Sequence, residues 1–135
     1  YKGKESIKGA FIDGGIVDRM NDFFLVFSFL FFGLPDLIIK FEYLIAILLY
    51  FTLMPTFIVA YANHRKLVDD PKEKKIWRIM HRGEMYLLFL ICFVIIGLNK
   101  RYATHLLSLI TILNIITTAQ TMFLSLRQGH FNSTR

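Results

Sequence analysis

Four apolar segments dominate this chain and limit what it can fold into. They cover residues 23–33, 43–61, 85–98 and 106–124. Hydrophobic residues make up 55% of the 135 residues, and a water-soluble domain of this size has too little interior to bury them. A helix needs about 20 apolar residues to cross a bilayer, so the second and fourth segments are close to a full span. The pattern predicts an all-α fold, namely a polytopic membrane helix bundle.

The other two apolar segments are too short to span on their own. The third gains length if its helix extends to Ile79 and Tyr102. The first reaches a span only if the acidic stretch before it, residues 8–22, belongs to the same helix, and we adopt that interpretation. We therefore expect four transmembrane helices within one domain over 1–135.

The basic residues indicate how these helices are oriented. Seven Lys and Arg residues lie in the link between the second and third segments: Arg65, Lys66, Lys72, Lys74, Lys75, Arg78 and Arg82. Loops rich in Lys and Arg stay in the cytoplasm, so this link and both basic termini are predicted to be cytoplasmic. The net charge of +6 then reflects membrane topology and contact with membrane lipid, not binding of nucleic acid.

The stretch "KGAFIDGGIVDRMND" places three aspartates at the mouth of the first apolar segment: Asp13, Asp18 and Asp22. Asp18 and Asp22 are four residues apart and share one helix face. Two carboxylates on one face at the end of a membrane helix suit a hard divalent cation, Mg²⁺ or Mn²⁺. Spacing alone leaves an alternative, in which the acids are solvated charges that the helix dipole favours.

Two motifs resemble those of the CDP-alcohol phosphotransferase family. "GAFID…DRMND" is similar to the second half of its signature, D-G-x2-A-R-x8-G-x3-D-x3-D, and eight residues precede Gly9 as in the x8 spacer. "HRGEMYLLFLICFVIIG" resembles the R-x-E-R and leucine-rich start of the family's fifth membrane helix. Arg82 and Glu84 match there, whereas Met85 stands where the family commonly has Arg.

The resemblance implies an architecture larger than this chain. The family has six membrane helices, and the matching motifs assign this chain to the third to sixth of them. The D-G-x2-A-R half, with two further aspartates, is expected upstream. We therefore expect the chain to be part of a longer protein and to be inactive alone. The resemblance also implies a homodimer.

One departure from the signature leaves two registers open. Four residues separate Asp13 from Asp18 where the family has three, which turns Asp18 about 100° away from the expected face. A π-bulge near Gly14 and Gly15 restores that face, and this is the register we prefer. In the alternative, Gly14, Asp18 and Asp22 form G-x3-D-x3-D and the x8 spacing is lost. Asp18 belongs to the site in both.

The resemblance implies transfer of a substituted phosphate from a CDP-linked alcohol to an acceptor alcohol, with release of CMP. Donors of this kind include CDP-diacylglycerol, CDP-archaeol and CDP-inositol, in phospholipid or polyol-phosphodiester synthesis. The active site is expected on the cytoplasmic side, with Asp18 as catalytic base. The expected metal ligands are Asp13, Asp18 and Asp22, and the expected substrate-binding residues are Gly9, Arg82 and Arg65. The two arginines suit phosphate because a guanidinium binds it in a bidentate fork.

A non-enzymatic hypothesis stands beside this one. A basic four-helix membrane chain is also suited to a non-catalytic structural subunit of a larger membrane complex. The aspartates then serve as helix-entry charges or ion-pair partners. An upstream D-G-x2-A-R with two more apolar helices distinguishes the enzyme from the subunit.

Overall fold

The computed structural model describes residues 16–65 and 82–132, with side chains described over 16–65 and 83–127. Within these residues the fold is all-helical, which confirms the all-α part of the predicted fold class. Four α-helices follow one another: α1 (Asp18–Ser28), α2 (Phe41–His64), α3 (Arg82–Leu98) and α4 (Lys100–Asn132). A short 3-10 helix, Phe29–Phe32, directly continues α1.

The described end of the acidic stretch enters the first helix, as expected from the sequence, whereas residues 8–15 lie outside the described residues. Asp18 lies in the first turn of α1 and Asp22 lies one turn later. Ile16 and Val17 form a π-helical turn immediately before Asp18. A helix distortion therefore does occur between Asp13 and Asp18, although Asp13 and the two glycines that we expected to permit it lie outside the described residues.

The chain leaves α1 through a turn that requires glycine. Gly33 has a φ of 57°, the left-handed conformation that other residues adopt at a cost. Pro35 follows and cannot continue a helix. Asp36 then caps the start of α2, because its Oδ1 accepts a hydrogen bond of 2.7 Å from the Phe41 amide. This bond satisfies one of the amides that the first turn of α2 leaves without a helical partner.

Helix α2 continues through Pro55, which is buried. Proline has no amide hydrogen, so the carbonyl of Phe51, four residues earlier, lacks its usual helical partner. Thr118 of α4 donates a hydrogen bond of 3.3 Å to this carbonyl. A neighbouring helix thus satisfies the backbone group that the proline leaves open, as is typical of proline in membrane helices.

A single residue, Asn99, separates α3 from α4. Its side-chain oxygen accepts a hydrogen bond of 2.9 Å from the Arg101 amide and so caps α4. The sequence-based expectation that the third helix extends to Tyr102 was wrong, because this cap ends α3 at Leu98 and places Tyr102 in α4.

The core lies where α4 packs against α2 and α3, and α1 completes it by packing against α2. Phe29 is fully buried and stacks on Phe93 of α3, with ring centroids 4.5 Å apart. Other fully buried apolar side chains are Val26, Leu48, Leu107 and Ile110. The contact between Phe29 and Phe93 holds the end of the first helical segment against the second half of α3.

One face of α4 is polar although it is buried. Thr111, Asn114, Thr118 and Thr121 share this face, as their spacing predicts. The three threonine hydroxyls donate to backbone carbonyls four residues earlier. Asn114 contacts the sulfur of Met85 at 3.9 Å. The face therefore helps to hold the helices together, with Thr118 and Asn114 making the contacts to other helices.

Much of the remaining helix surface is apolar. Two segments, Phe41–His64 and Lys100–Arg127, are long and apolar enough to cross a membrane, and Gly83–Leu98 is a shorter apolar helix. Only 28% and 39% of the two long spans are buried within the chain, so most of their apolar side chains face outward.

Candidate functional site

An open cleft of about 780 Å³ lies where α1 and α3 begin. We call it the Asp18 cleft. It is lined by Asp18, Asn21, Phe24, Leu25, Ser28, Gly83 and Tyr86. Polar groups line the side nearer the helix starts, and apolar side chains continue along α1. A ligand with a polar head and an apolar tail fits such a wall.

Asp18 is half-buried and stands on the wall of this cleft. The π-helical turn at Ile16 and Val17 precedes it, so the backbone changes its winding just before the carboxylate. An acid at the first turn of a helix is favoured by the helix dipole. Asp18 thus lies in the first turn of α1 and lines an open cavity.

Asp22 has a different environment although it lies only one turn further along α1. Its side chain is 1% exposed. Nη1 of Arg19 lies 2.9 Å from its Oδ2, and the Tyr86 hydroxyl donates a hydrogen bond to its Oδ1. A buried carboxylate needs such partners, because an unpaired buried charge strongly destabilises a fold.

The same arginine connects α1 to α2. Nη1 of Arg19 also donates a hydrogen bond of 3.1 Å to Oγ1 of Thr56. Asp22, Arg19, Tyr86 and Thr56 therefore form one polar cluster, the Asp22 network, which joins three helices. Tyr86 belongs both to this network and to the wall of the Asp18 cleft, so the two are in direct contact.

Several residues expected at the site remain unplaced. Gly9 and Asp13 lie outside the described residues, and Arg82 begins α3 with its side chain outside them. Its neighbour Gly83 lines the Asp18 cleft, which puts the α3 motif at the acidic stretch. The structure thus places Asp18, in the described part of the first motif, in one cleft lining with Gly83 of the second.

Arg65 lies at the end of α2 and is exposed. Its Nε and Nη2 donate hydrogen bonds of 3.1 and 2.9 Å to the Tyr61 hydroxyl. Its guanidinium also lies over the Tyr61 ring, 5.3 Å from the centroid. Arg65 is absent from the described lining of the Asp18 cleft, and its role in substrate binding stays a prediction.

The cleft offers oxygen ligands suited to a hard cation. Asp18 and Asn21, three residues apart on α1, are of this type, and Mg²⁺ takes carboxylate and amide oxygens. Over 16–65 and 82–132 no group of three or more His, Cys, Asp or Glu side chains is arranged to hold a metal. Asp18 fits a metal ligand, whereas Asp22 must exchange Arg19 for the cation before it can serve as one.

Sequence reasoning missed three members of the Asp22 network. Arg19 was recognisable, because it precedes Asp22 by three residues and so lies on the same face of the helix. Tyr86 carried a weaker signal, as a hydroxyl near the start of an apolar helix. Thr56 carried none, since its position gives no indication that α2 passes beside Arg19.

Comparison with family models, curated proteins and solved structures finds no match to this chain. The all-helical fold, its two membrane-length helices and the Asp18 cleft are therefore the basis for any statement about function.

Proposed function

We propose that this chain is part of a membrane-embedded CDP-alcohol phosphotransferase. One observation carries the proposal: Asp18, the aspartate common to both registers of the motif, lines an open cleft with Gly83 of the second family-like motif. The two motifs are far apart in sequence, and a shared site is what the family resemblance requires of them.

The proposed enzyme spans the membrane with all four helices. The outward-facing apolar side chains of α2, α3 and α4 suit contact with lipid, because a bilayer removes them from water. Both termini, the basic link and the Asp18 cleft belong to the cytoplasmic side in this arrangement. A lipid-linked substrate then keeps its tail in the bilayer while its nucleotide remains in water.

In the proposed reaction Asp18 is the general base. The acceptor alcohol donates its hydroxyl proton to the Asp18 carboxylate, and the resulting oxygen attacks the β-phosphorus of the CDP-alcohol. The bond between that phosphorus and the bridging oxygen breaks, and CMP leaves with the bond's electrons. Asp18, Asp13 and upstream aspartates would hold Mg²⁺, which would neutralise the charge of the diphosphate.

The Asp22 network has a supporting role in the preferred register. Arg19 and Tyr86 hold Asp22 within the protein, so α1 keeps a fixed rotation and Asp18 keeps its place at the cleft. In the alternative register Asp22 is itself the base, and Arg19 must release it. The preferred register leaves the pairing of Asp22 with Arg19 intact.

The remaining assignments follow from the resemblance. Gly9, Arg82 and Arg65 bind the substrate phosphates, and the active form is a homodimer. The acceptor is a polyol or inositol-type alcohol without a phosphate. The end of α2, "VAYANHRK", has no Lys or Arg before Arg65 that could bind a phosphate on the acceptor.

A non-catalytic structural subunit is the second candidate. The pairing of Asp22 with Arg19 favours it, because an ion pair that joins helices needs no substrate to explain it. In this candidate Asp18, in the first turn of α1, is a helix-entry charge that the helix dipole favours.

The full-length protein, purified in detergent with Mg²⁺ and supplied with radiolabelled CDP-alcohols and a panel of acceptors, tests the proposal. We expect CMP release that depends on the acceptor, stops with EDTA and returns with Mn²⁺. Absence of CMP release from every lipid and polyol donor, by protein that remains folded, would favour the structural subunit.

A further inference from the structure

A second cavity lies at the opposite end of the bundle. It has a volume of about 660 Å³ and lies between the 33–40 loop, the start of α2 and the first turns of α4. We call it the Asp36–Arg101 groove. Arg101 lies just after the end of α3, whereas the Asp18 cleft lies at the start of α3, and the described linings of the two cavities have no residue in common. It is therefore a separate site, unused by the proposed reaction.

Charges of both signs line the mouth of this groove. Asp36 comes from the loop, and Arg101 and His105 come from successive turns of α4. In the part of the chain that the structure describes, Asp36 and Arg101 form no ion pair with each other although they face the same cavity. Two opposite charges that flank an open space complement a ligand carrying both charges.

The walls beyond the mouth are apolar. Leu44 and Ile47 of α2 face Ile112 and Ile115 of α4, the two helices of membrane-spanning length. Ser108 and Thr111 lie between the charged mouth and these apolar walls. Along α4 the order is thus charge, hydroxyl, hydrocarbon, which is the order of head, glycerol backbone and acyl chain in a phospholipid, while Leu37, Ile38 and Ile39 of the loop add apolar surface at the mouth.

We propose that the Asp36–Arg101 groove binds one zwitterionic glycerophospholipid from the membrane leaflet opposite the active site. Arg101 binds its phosphate, Asp36 binds its ammonium group, and one acyl chain lies along Ile112 and Ile115. This assignment rests on the membrane placement in the proposed function but not on the transferase activity.

Native mass spectrometry of the full-length protein with phosphatidylethanolamine or phosphatidylglycerol tests this assignment. We expect a phosphatidylethanolamine adduct that Arg101→Gln weakens about tenfold, as the loss of one charge-assisted contact predicts. Asp36→Asn keeps an oxygen for the Phe41 amide, so α2 stays capped. It is expected to abolish the preference for phosphatidylethanolamine over phosphatidylglycerol. Arg127→Gln, at the other end of α4, is the matched control and leaves both adducts unchanged.

Ile112→Trp fills the apolar wall without changing charge, and it is expected to remove the adduct even if the charge variants fold poorly. Equal adducts of both lipids that are insensitive to Arg101→Gln and Ile112→Trp would overturn the proposal. The proposal would also be overturned if Ile112→Trp dissociates a dimer and changes no lipid adduct, because that result would mean that a second copy of the chain covers the groove.

The Asp18→Asn variant keeps the two proposals separate. Phosphatidylethanolamine adducts that persist in this variant while CMP release is lost support both. Adducts that depend on Arg101 in a protein without transferase activity support the lipid site alone, whereas transferase activity without such adducts supports the enzyme alone.

Discussion

The two ends of the bundle use charge in different ways. At one end Asp22 is buried and is bound by Arg19 and Tyr86. At the other end Asp36 and Arg101 stand exposed around a groove without pairing to each other. A buried charge has to find its partners within the protein, whereas a charge at an open cavity remains available to a ligand. Asp18 differs from Asp22 in exposure, since it is half-buried and lines its own cleft although it lies only one helical turn away.

The largest effect is expected from Asp18→Asn in the full-length enzyme. Asparagine cannot accept the hydroxyl proton, and loss of a general base reduces the rate by about 10²–10⁴. The folded fraction should be unchanged, since Asp18 faces an open cleft. CMP release from a radiolabelled CDP-alcohol measures the rate. Near-normal turnover would refute the assigned role of Asp18, and a larger loss in Asp22→Asn, corrected for folded protein, would select the other register.

Asp22→Ala is expected to lower stability strongly. It leaves the Arg19 guanidinium without its carboxylate, and removal of one member of a buried ion pair costs about 3–5 kcal/mol. Thermal unfolding in detergent measures the change. Asp18→Ala, the same substitution at a half-buried residue that lines the cleft, is the control. The double variant Arg19→Met/Asp22→Leu removes both charges and should recover much of the loss. Equal unfolding temperatures for the two single alanine variants would show that the two environments do not differ.

Tyr86→Phe is expected to have an intermediate effect. It removes one hydrogen bond to the Asp22 carboxylate and leaves the Arg19 ion pair intact, and a hydrogen bond to a charged group contributes about 1.5–3 kcal/mol. Chemical denaturation in detergent provides the comparison, with Tyr50→Phe on the exposed face of α2 as the matched control. If both variants unfold alike, the hydroxyl of Tyr86 is not part of the network.

The smallest loss of stability is expected from substitution of Gly33, in the loop that leads to the Asp36–Arg101 groove. A Cβ at this position meets no atom within 4 Å, so only the left-handed backbone opposes substitution. Gly33→Ala should cost about 1–2 kcal/mol, whereas Gly33→Asn should cost less because asparagine tolerates this conformation. The same unfolding assay ranks the two variants. An equal or larger loss for asparagine would mean that crowding, not backbone geometry, requires the glycine.

Local pattern predicted most of the fold. The apolar segments predicted the helices, and the described end of the acidic stretch, with Asp18 and Asp22, was correctly assigned to the first of them. The boundary between α3 and α4 was missed, because the cap made by Asn99 depends on one side-chain hydrogen bond that apolar spacing does not reveal. The candidate site was predicted only in part. Asp18 was named from the motif, but the environment that separates it from Asp22 was not foreseen.

By itself the sequence determined that the chain forms apolar helices, which of them reach membrane length, and that Asp18 and Asp22 share one face of a helix. These properties are local, since helical periodicity fixes the faces of each segment. The tertiary structure alone decided that Tyr86, 64 residues away, meets Asp22, and that Thr118 satisfies the carbonyl left open by Pro55. Contacts of this kind depend on which helix faces pack together, and every apolar helix in the chain offers several faces that could pack.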